Sequence, residues 1–130
     1  MPAPIILVID DDKLVRWSVS MVLGRAGYRV REVATGSDGL AAVRDCPPDL
    51  VLLDISLPDM DGLSVLEAIR RVHPELPVLM MTAEPNAETR EQAIRLGAYA
   101  HLEKPCDAAA LQDAISQALH PAPPSNQVRR

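Results

Sequence analysis

Ile5-Ile6-Leu7-Val8-Ile9, followed at once by Asp10-Asp11-Asp12, is the stretch whose reading decides the fold. Five apolar residues without a polar interruption fit a strand buried on both faces, as in a parallel sheet covered by helices. Two further runs repeat the pattern. Leu50-Val51-Leu52-Leu53 ends on Asp54, and Pro77-Val78-Leu79-Met80-Met81 ends on Thr82. Arg29 to Val33 alternates polar and apolar residues, which predicts a strand nearer the sheet edge. Tyr99 to Leu102 reads as a short fifth strand, just ahead of Lys104-Pro105.

Segments of helix length separate these runs. Leu14 to Ala26 places Val15, Val19 and Val22 on one helical face, and Gly27 ends it. Thr35-Gly36-Ser37-Asp38 fits a capping box, so a helix should run to about Asp45, where Pro47-Pro48 stops it. Asp61-Gly62 opens a helix with Leu66 and Ile69 on one face, ending near His73-Pro74. Asn86 caps a fourth helix that runs to Gly97. Asp107 caps a fifth with Leu111, Ile115 and Leu119 in register. Strands alternating with helices imply an α/β domain with parallel strands and right-handed crossovers.

Composition narrows the function. The 130 residues suit one domain, at 48% hydrophobic and 24% charged. The formal net charge of −5 argues against binding a nucleic-acid backbone. With no Phe and only Trp17, Tyr28 and Tyr99 as aromatics, the core must be aliphatic, and platforms for stacking bases are scarce. No apolar run is long enough to span a membrane, and Met1-Pro2-Ala3-Pro4 has no secretory pattern, so a cytoplasmic location is expected. Cys46 and Cys106 lack ligand or redox spacing and read as two reduced thiols. Residues 1–120 are expected to form the domain. Residues 121–130, with three prolines, read as a flexible tail or the start of a linker.

In such sheets ligands sit beyond the carboxyl ends of the strands. The residues there are Asp10, Asp11, Asp54, Thr82 and Lys104. Asp12 is read as a cap for the helix that follows it. Two carboxylates about 4 Å apart repel by roughly 4 kcal/mol at an effective dielectric near 20. A cluster of this kind calls for a shared proton or a cation. Oxygen ligands of this type suit Mg²⁺, with Mn²⁺ as a second choice. An acidic site with a metal, a hydroxyl and a lysine is a phosphoryl-transfer site in outline, in which a carboxylate can act as nucleophile. The chain has neither a G-x-x-x-x-G-K-[ST] loop nor G-x-G-x-x-G, so a nucleotide is not the expected phosphate carrier.

Four motifs in order carry a resemblance over roughly residues 4–120. They are Val8-Ile9-Asp10-Asp11, Asp54-Ile55-Ser56-Leu57-Pro58-Asp59-Met60-Asp61-Gly62, Met81-Thr82-Ala83 and Lys104-Pro105. The sequence resembles the receiver domains of two-component response regulators. The resemblance implies a flavodoxin-like, doubly wound (βα)5 fold with strand order 2-1-3-4-5. It implies that Asp54 accepts a phosphoryl group from a sensor histidine kinase or phosphotransfer protein. Mg²⁺ would be held by Asp11, Asp54 and the backbone carbonyl of Ser56, with Asp10 reaching it mainly through water. Lys104 would pair with the phosphoryl group, and its peptide bond to Pro105 would be cis. Thr82 and the residue at position 101 would move between inactive and active forms, and output or homodimerisation would use the helix 4–strand 5–helix 5 face.

Position 101 holds His where the family usually has Tyr or Phe, and Cys106 stands where Phe is common. His101 reads either as a partly exposed neutral side chain or as a switch residue sensitive to pH. Ser56 and Glu84 flank the expected site, where they either tune water access or are ordinary loop residues. Asp12-Lys13-Leu14-Val15-Arg16-Trp17 and His73-Pro74-Glu75-Leu76-Pro77 carry a fainter likeness to receivers of nitrogen-regulator-type transcriptional activators. Two other readings remain. Asp10-x-Asp12 resembles the nucleophile motif of haloacid-dehalogenase-type phosphohydrolases, with Asp10 attacking and Asp12 as acid and base. A receiver-like module working without phosphate would be expected to lack part of the acidic, hydroxyl and lysine set.

Overall fold

The computed structural model describes residues 3–83, 86–104 and 106–120. Five strands alternate with five helices. They are β1 (Ile5–Ile9), α1 (Lys13–Arg25), β2 (Arg29–Val33), α2 (Gly36–Asp45), β3 (Leu50–Asp54), α3 (Gly62–Val72), β4 (Val78–Thr82), α4 (Ala87–Arg95), β5 (Ala100–Glu103) and α5 (Ala108–Leu119). The strands form one parallel sheet in the order β2-β1-β3-β4-β5. This is the doubly wound, flavodoxin-like order expected. Glu84, the Lys104–Pro105 peptide and the tail at 121–130 lie outside the described residues, and with them the expectations placed there.

The uninterrupted apolar runs are the central strands, because a parallel sheet flanked by helices hides both faces of β1, β3 and β4. Alternate residues along each strand go to opposite faces. Leu7, Ile9, Val51, Leu53, Val78 and Met80 pack with Val43 of α2, Val65 and Ile69 of α3, and Ala93 of α4. Ile6, Val8, Leu50, Leu52, Leu79 and Met81 pack with Val19 and Leu23 of α1, and with Leu111 and Ile115 of α5. Each face therefore has its own aliphatic core. β2, which pairs only with β1, is half-buried or exposed along its length, as its alternation predicts.

The helix starts follow the caps read from the sequence. Asp12, Thr35, Asp61, Asn86 and Asp107 each accept hydrogen bonds from first-turn amides of α1, α2, α3, α4 and α5 respectively. β3 and β4 end on Asp54 and Thr82, as expected, because the ladder pairs Asp54 with Met81 and Thr82 with Glu103; β4 starts one residue later than expected, at Val78. β5 is shifted one residue, to Ala100–Glu103, by that same register. Two of the site residues therefore stand on the sheet itself and inherit its rigidity.

Candidate functional site: an acidic cluster closed by a lysine

β1 and β3 are neighbours, so their carboxyl ends bring Asp10 and Asp54 together. Asp10 is fully buried and Asp54 nearly so. Ligand oxygens of Asp10, Asp54 and the exposed Asp11 lie within 4.8 Å of one another. Both buried carboxylates are oriented by backbone amides two residues on. Asp12 N–H donates to Asp10 Oδ1 at 2.9 Å, and Ser56 N–H donates to Asp54 Oδ1 at 3.2 Å. The Asp10 carbonyl accepts from Arg16 Nη1 at 2.7 Å, which ties α1 to the end of β1.

The second oxygen of each carboxylate faces the same cation. Lys104 Nζ lies 2.6 Å from Asp10 Oδ2 and 3.3 Å from Asp54 Oδ2. Its position is fixed from below by Lys104 N–H donating to the Thr82 carbonyl at 2.7 Å. Lys104 thus bridges the first and third strands from the end of the fifth. It lies closer to Asp10 than to Asp54, whereas the sequence had suggested only a future phosphoryl group as its partner. Thr82 is buried at the end of β4, between β3 and β5 in the sheet.

The electrostatics follow from burial. Asp54 has its pKa raised, first by desolvation and then by repulsion from Asp10; Lys104 and the Ser56 amide pull the other way without cancelling this. Burial acts to lower the pKa of Lys104, but its contacts with Asp10 and Asp54 outweigh it and the net shift is upward. The site therefore holds an excess of negative charge that one lysine does not neutralise. That imbalance, with oxygen donors from three carboxylates, fits a hard divalent cation of the Mg²⁺ type. Asp12 does not join the cluster's ligand set. Its carboxylate instead accepts from the amides of Leu14 and Val15, as the cap of α1.

The loop behind Asp54 is closed tightly. Ser56 and Asp61 form an isolated antiparallel bridge, and Gly62 N–H donates to the Ile55 carbonyl at 2.8 Å. A Cβ at Gly62 would lie 2.5 Å from the Asp54 carbonyl oxygen and 2.6 Å from Ile55 Cα, so only glycine lets α3 start this close to the acidic strand end. His101 lies half-buried on β5, paired in register with Met80, and both ring nitrogens are buried with no hydrogen-bond partner among the described residues. Its pKa is lowered, chiefly by desolvation and then by Arg90 of α4, against a smaller opposing pull from Glu103. Sequence reading did not find Asp59, whose carboxylate reaches across to α2; a contact spanning 23 residues leaves no local pattern.

These features define a class: a doubly wound α/β domain with an acidic, lysine-closed edge at the carboxyl ends of its strands. Within that class the chain belongs to the response regulator receiver domain family, whose model matches residues 6–116. Domains of this family accept phosphoryl groups in two-component signalling. The chain is 39% identical over 107 residues to the DNA-binding transcriptional regulator NtrC of Salmonella typhimurium. That match covers 82% of this chain and 23% of the relative, so the chain spans about a quarter of that protein's length. The receiver domain of NtrX from Brucella abortus superposes with a TM-score of 0.85 at 41% identity, over 90% of this chain and 99% of that one. A CheY-like receiver domain protein from Methanospirillum hungatei gives a TM-score of 0.87 at 32% identity, over 90% and 94% of the two chains. Among the described residues no helix is long and apolar enough to cross a membrane.

Proposed function

We propose that Asp54 is the phospho-acceptor of this domain and takes its phosphoryl group from a phosphohistidine on a sensor histidine kinase or phosphotransfer protein. The observation that carries this reading is the Lys104 ammonium shared by Asp10 and Asp54, with Asp11 alongside. In the transfer, an Asp54 carboxylate oxygen attacks phosphorus. The new O–P bond forms as the P–N bond to the donor imidazole breaks, and the imidazole nitrogen keeps the bonding pair. Lys104 moves from its carboxylate partners to the phosphoryl oxygens, and the Thr82 hydroxyl donates a hydrogen bond to one of them. Asp10, Asp11, Asp54 and the Ser56 carbonyl would hold Mg²⁺, or Mn²⁺ in its place, which when bound supplies positive charge against the phosphoryl oxygens.

Output is proposed to pass through the face made by α4, β5 and α5. His101 pairs with Met80, two levels before the Thr82–Glu103 pair in the β4–β5 ladder, and a salt bridge of 3.7 Å from Arg90 to Glu103 ties α4 to β5. A shift of Thr82 toward a phosphoryl group would free space that His101 can enter, changing the surface offered to an output domain or a second copy. We further propose a cytoplasmic location and a receiver unit over residues 1–120, serving a longer regulator of the nitrogen-regulator type. The identity to NtrC and to the NtrX receiver domain supports that assignment.

Borohydride trapping tests the acceptor. An acyl phosphate is reduced to an alcohol, so a phosphorylated Asp54 becomes homoserine. After phosphorylation with a small phosphoryl donor and Mg²⁺, peptide mass spectrometry should place homoserine at position 54. Homoserine at position 10 would instead make Asp10 the nucleophile and overturn the reading.

A further inference from the structure

The β3–α3 loop is fastened to a helix that takes no part in the acidic cluster. Asp59 Oδ1 accepts from Gly36 N–H at 2.8 Å, and its Oδ2 accepts from Ser37 N–H at 2.9 Å. These are the first two amides of α2, donors that no intrahelical carbonyl can serve. The third, Asp38 N–H, is served by Thr35 Oγ1 at 3.0 Å. Asp59 and Thr35 thus divide the α2 N-terminus between a distant residue and its own cap. The two amide hydrogen bonds, Ser37 first and Gly36 next, hold the Asp59 carboxyl below its usual pKa, so it stays ionised against the positive end of the helix.

A second observation places the same loop on the same spot. Met60, the next residue, lies against Gly36 so closely that a Cβ there would come within 2.8 Å of Met60 Sδ. Asp59 is itself exposed, so burial does not hold it; the two hydrogen bonds do. The other end of the loop is the site. Ser56 N–H orients the Asp54 carboxylate, and the Ser56–Asp61 bridge closes the loop into one short unit. Asp59 thus lies inside the short loop that the Ser56–Asp61 bridge closes.

We propose that Asp59 is a positioning residue: by clamping the β3–α3 loop to the N-terminus of α2, it holds Ser56 and the Asp54 carboxylate in the arrangement that binds a divalent cation. This rests on the metal assignment made above. Outer residues that orient ligands typically change metal affinity by about 10–100-fold when removed.

The test is calorimetric titration of the 130-residue chain with MgCl₂, on wild type, Asp59→Ala, Asp59→Asn and Thr35→Ala. Amide hydrogen exchange is followed at Gly36 and Ser37. Asp59→Ala should weaken Mg²⁺ binding by about tenfold. Asp59→Asn keeps one acceptor and should fall between it and wild type. Thr35→Ala removes the other α2 cap and lowers the melting temperature, yet should leave Mg²⁺ affinity unchanged. Should Asp59→Ala fail to fold, Asp59→Asn against Thr35→Ala decides the question. Unchanged Mg²⁺ affinity in the Asp59 variants, with faster exchange at Gly36 and Ser37, would overturn the proposal, since the clamp would then be only structural. Equal losses in Thr35→Ala and Asp59→Ala would overturn it too, by pointing to general loosening of α2. No Mg²⁺ binding by wild type would overturn the metal assignment and this inference together.

Discussion

Replacing Lys104 by alanine removes the one cation, among the described residues, that faces both buried carboxylates. At an effective dielectric of about 20, unit charges separated by 3.3 Å attract by about 5 kcal/mol and at 2.6 Å by about 6 kcal/mol. Asp10 and Asp54, within 4.8 Å, repel by at least about 3.5 kcal/mol on the same scale. These are gross values, and recovered solvation of the lysine offsets part of the loss. The folded variant also has an escape, because one proton taken up by the pair restores the net charge that Lys104 provided. An ordinary aspartate with a pKa of about 3.9 would need about 4 kcal/mol for that proton near pH 7 and about 1.5 kcal/mol near pH 5, and the raised pKa of Asp54 makes both costs smaller.

The sign follows from proton binding. With Lys104 gone, the carboxyl pKa in the folded state rises further, so the folded chain binds more protons than the unfolded one. Stability then falls as pH rises. Lys104→Ala should be about 3–4 kcal/mol less stable than wild type near pH 7. The gap should narrow by up to about 2.7 kcal/mol near pH 5, the linkage of a single proton over two pH units. Urea unfolding in Mg²⁺-free buffer at both pH values measures it. An equal gap at the two values would refute the reasoning, because the carboxylates would then be indifferent to the lysine.

Three other outcomes follow from the same structure. Gly62→Ala should cost about 1–3 kcal/mol in urea unfolding, since a Cβ there meets the Asp54 and Ile55 backbone and not a side chain that can yield. Asp12→Ala should lose about 1 kcal/mol of stability through the α1 cap while keeping Mg²⁺ affinity, and Asp11→Ala should lose Mg²⁺ affinity with little change in stability. In wild type the lowered His101 pKa makes the folded state bind fewer protons than the unfolded state, so this contribution is full above the ordinary value of 6.5 and is lost as pH falls below it. His101→Phe should remove that dependence, and parallel melting-temperature profiles for the two proteins between pH 8 and pH 5 would contradict it.

The elements most legible in the sequence are those whose environment is uniform. β1, β3 and β4 are hidden on both faces, so their apolar runs stand out, and each helix start carries a capping side chain that announces it. The convergence of Asp10 and Asp54 was also readable, since polar residues that end buried parallel strands must share one edge. What escaped was set by pairing partners distant in the chain. Asp54 and Thr82 closed their apolar runs in the sequence, but a polar side chain at a strand end gives no strand signal of its own; the ladder from β4 and β5 is what makes them sheet residues. Lys104 was expected at the strand edge, but its contacts with Asp10 and Asp54, tighter to Asp10, depend on where β5 aims it. The Asp59 clamp on α2 is a purely tertiary contact, and nothing near Asp59 or Gly36 in the chain hints at it.

The central claim is that the carboxylate on the third strand, and not that on the first, is the nucleophile. Intact mass after incubation with acetyl phosphate and Mg²⁺ tests it on wild type, Asp54→Asn and Asp10→Asn. The account predicts one phosphoryl adduct on wild type, none on Asp54→Asn, and a reduced or absent adduct on Asp10→Asn, whose metal site is weakened. An adduct that persists in Asp54→Asn and vanishes in Asp10→Asn would contradict it.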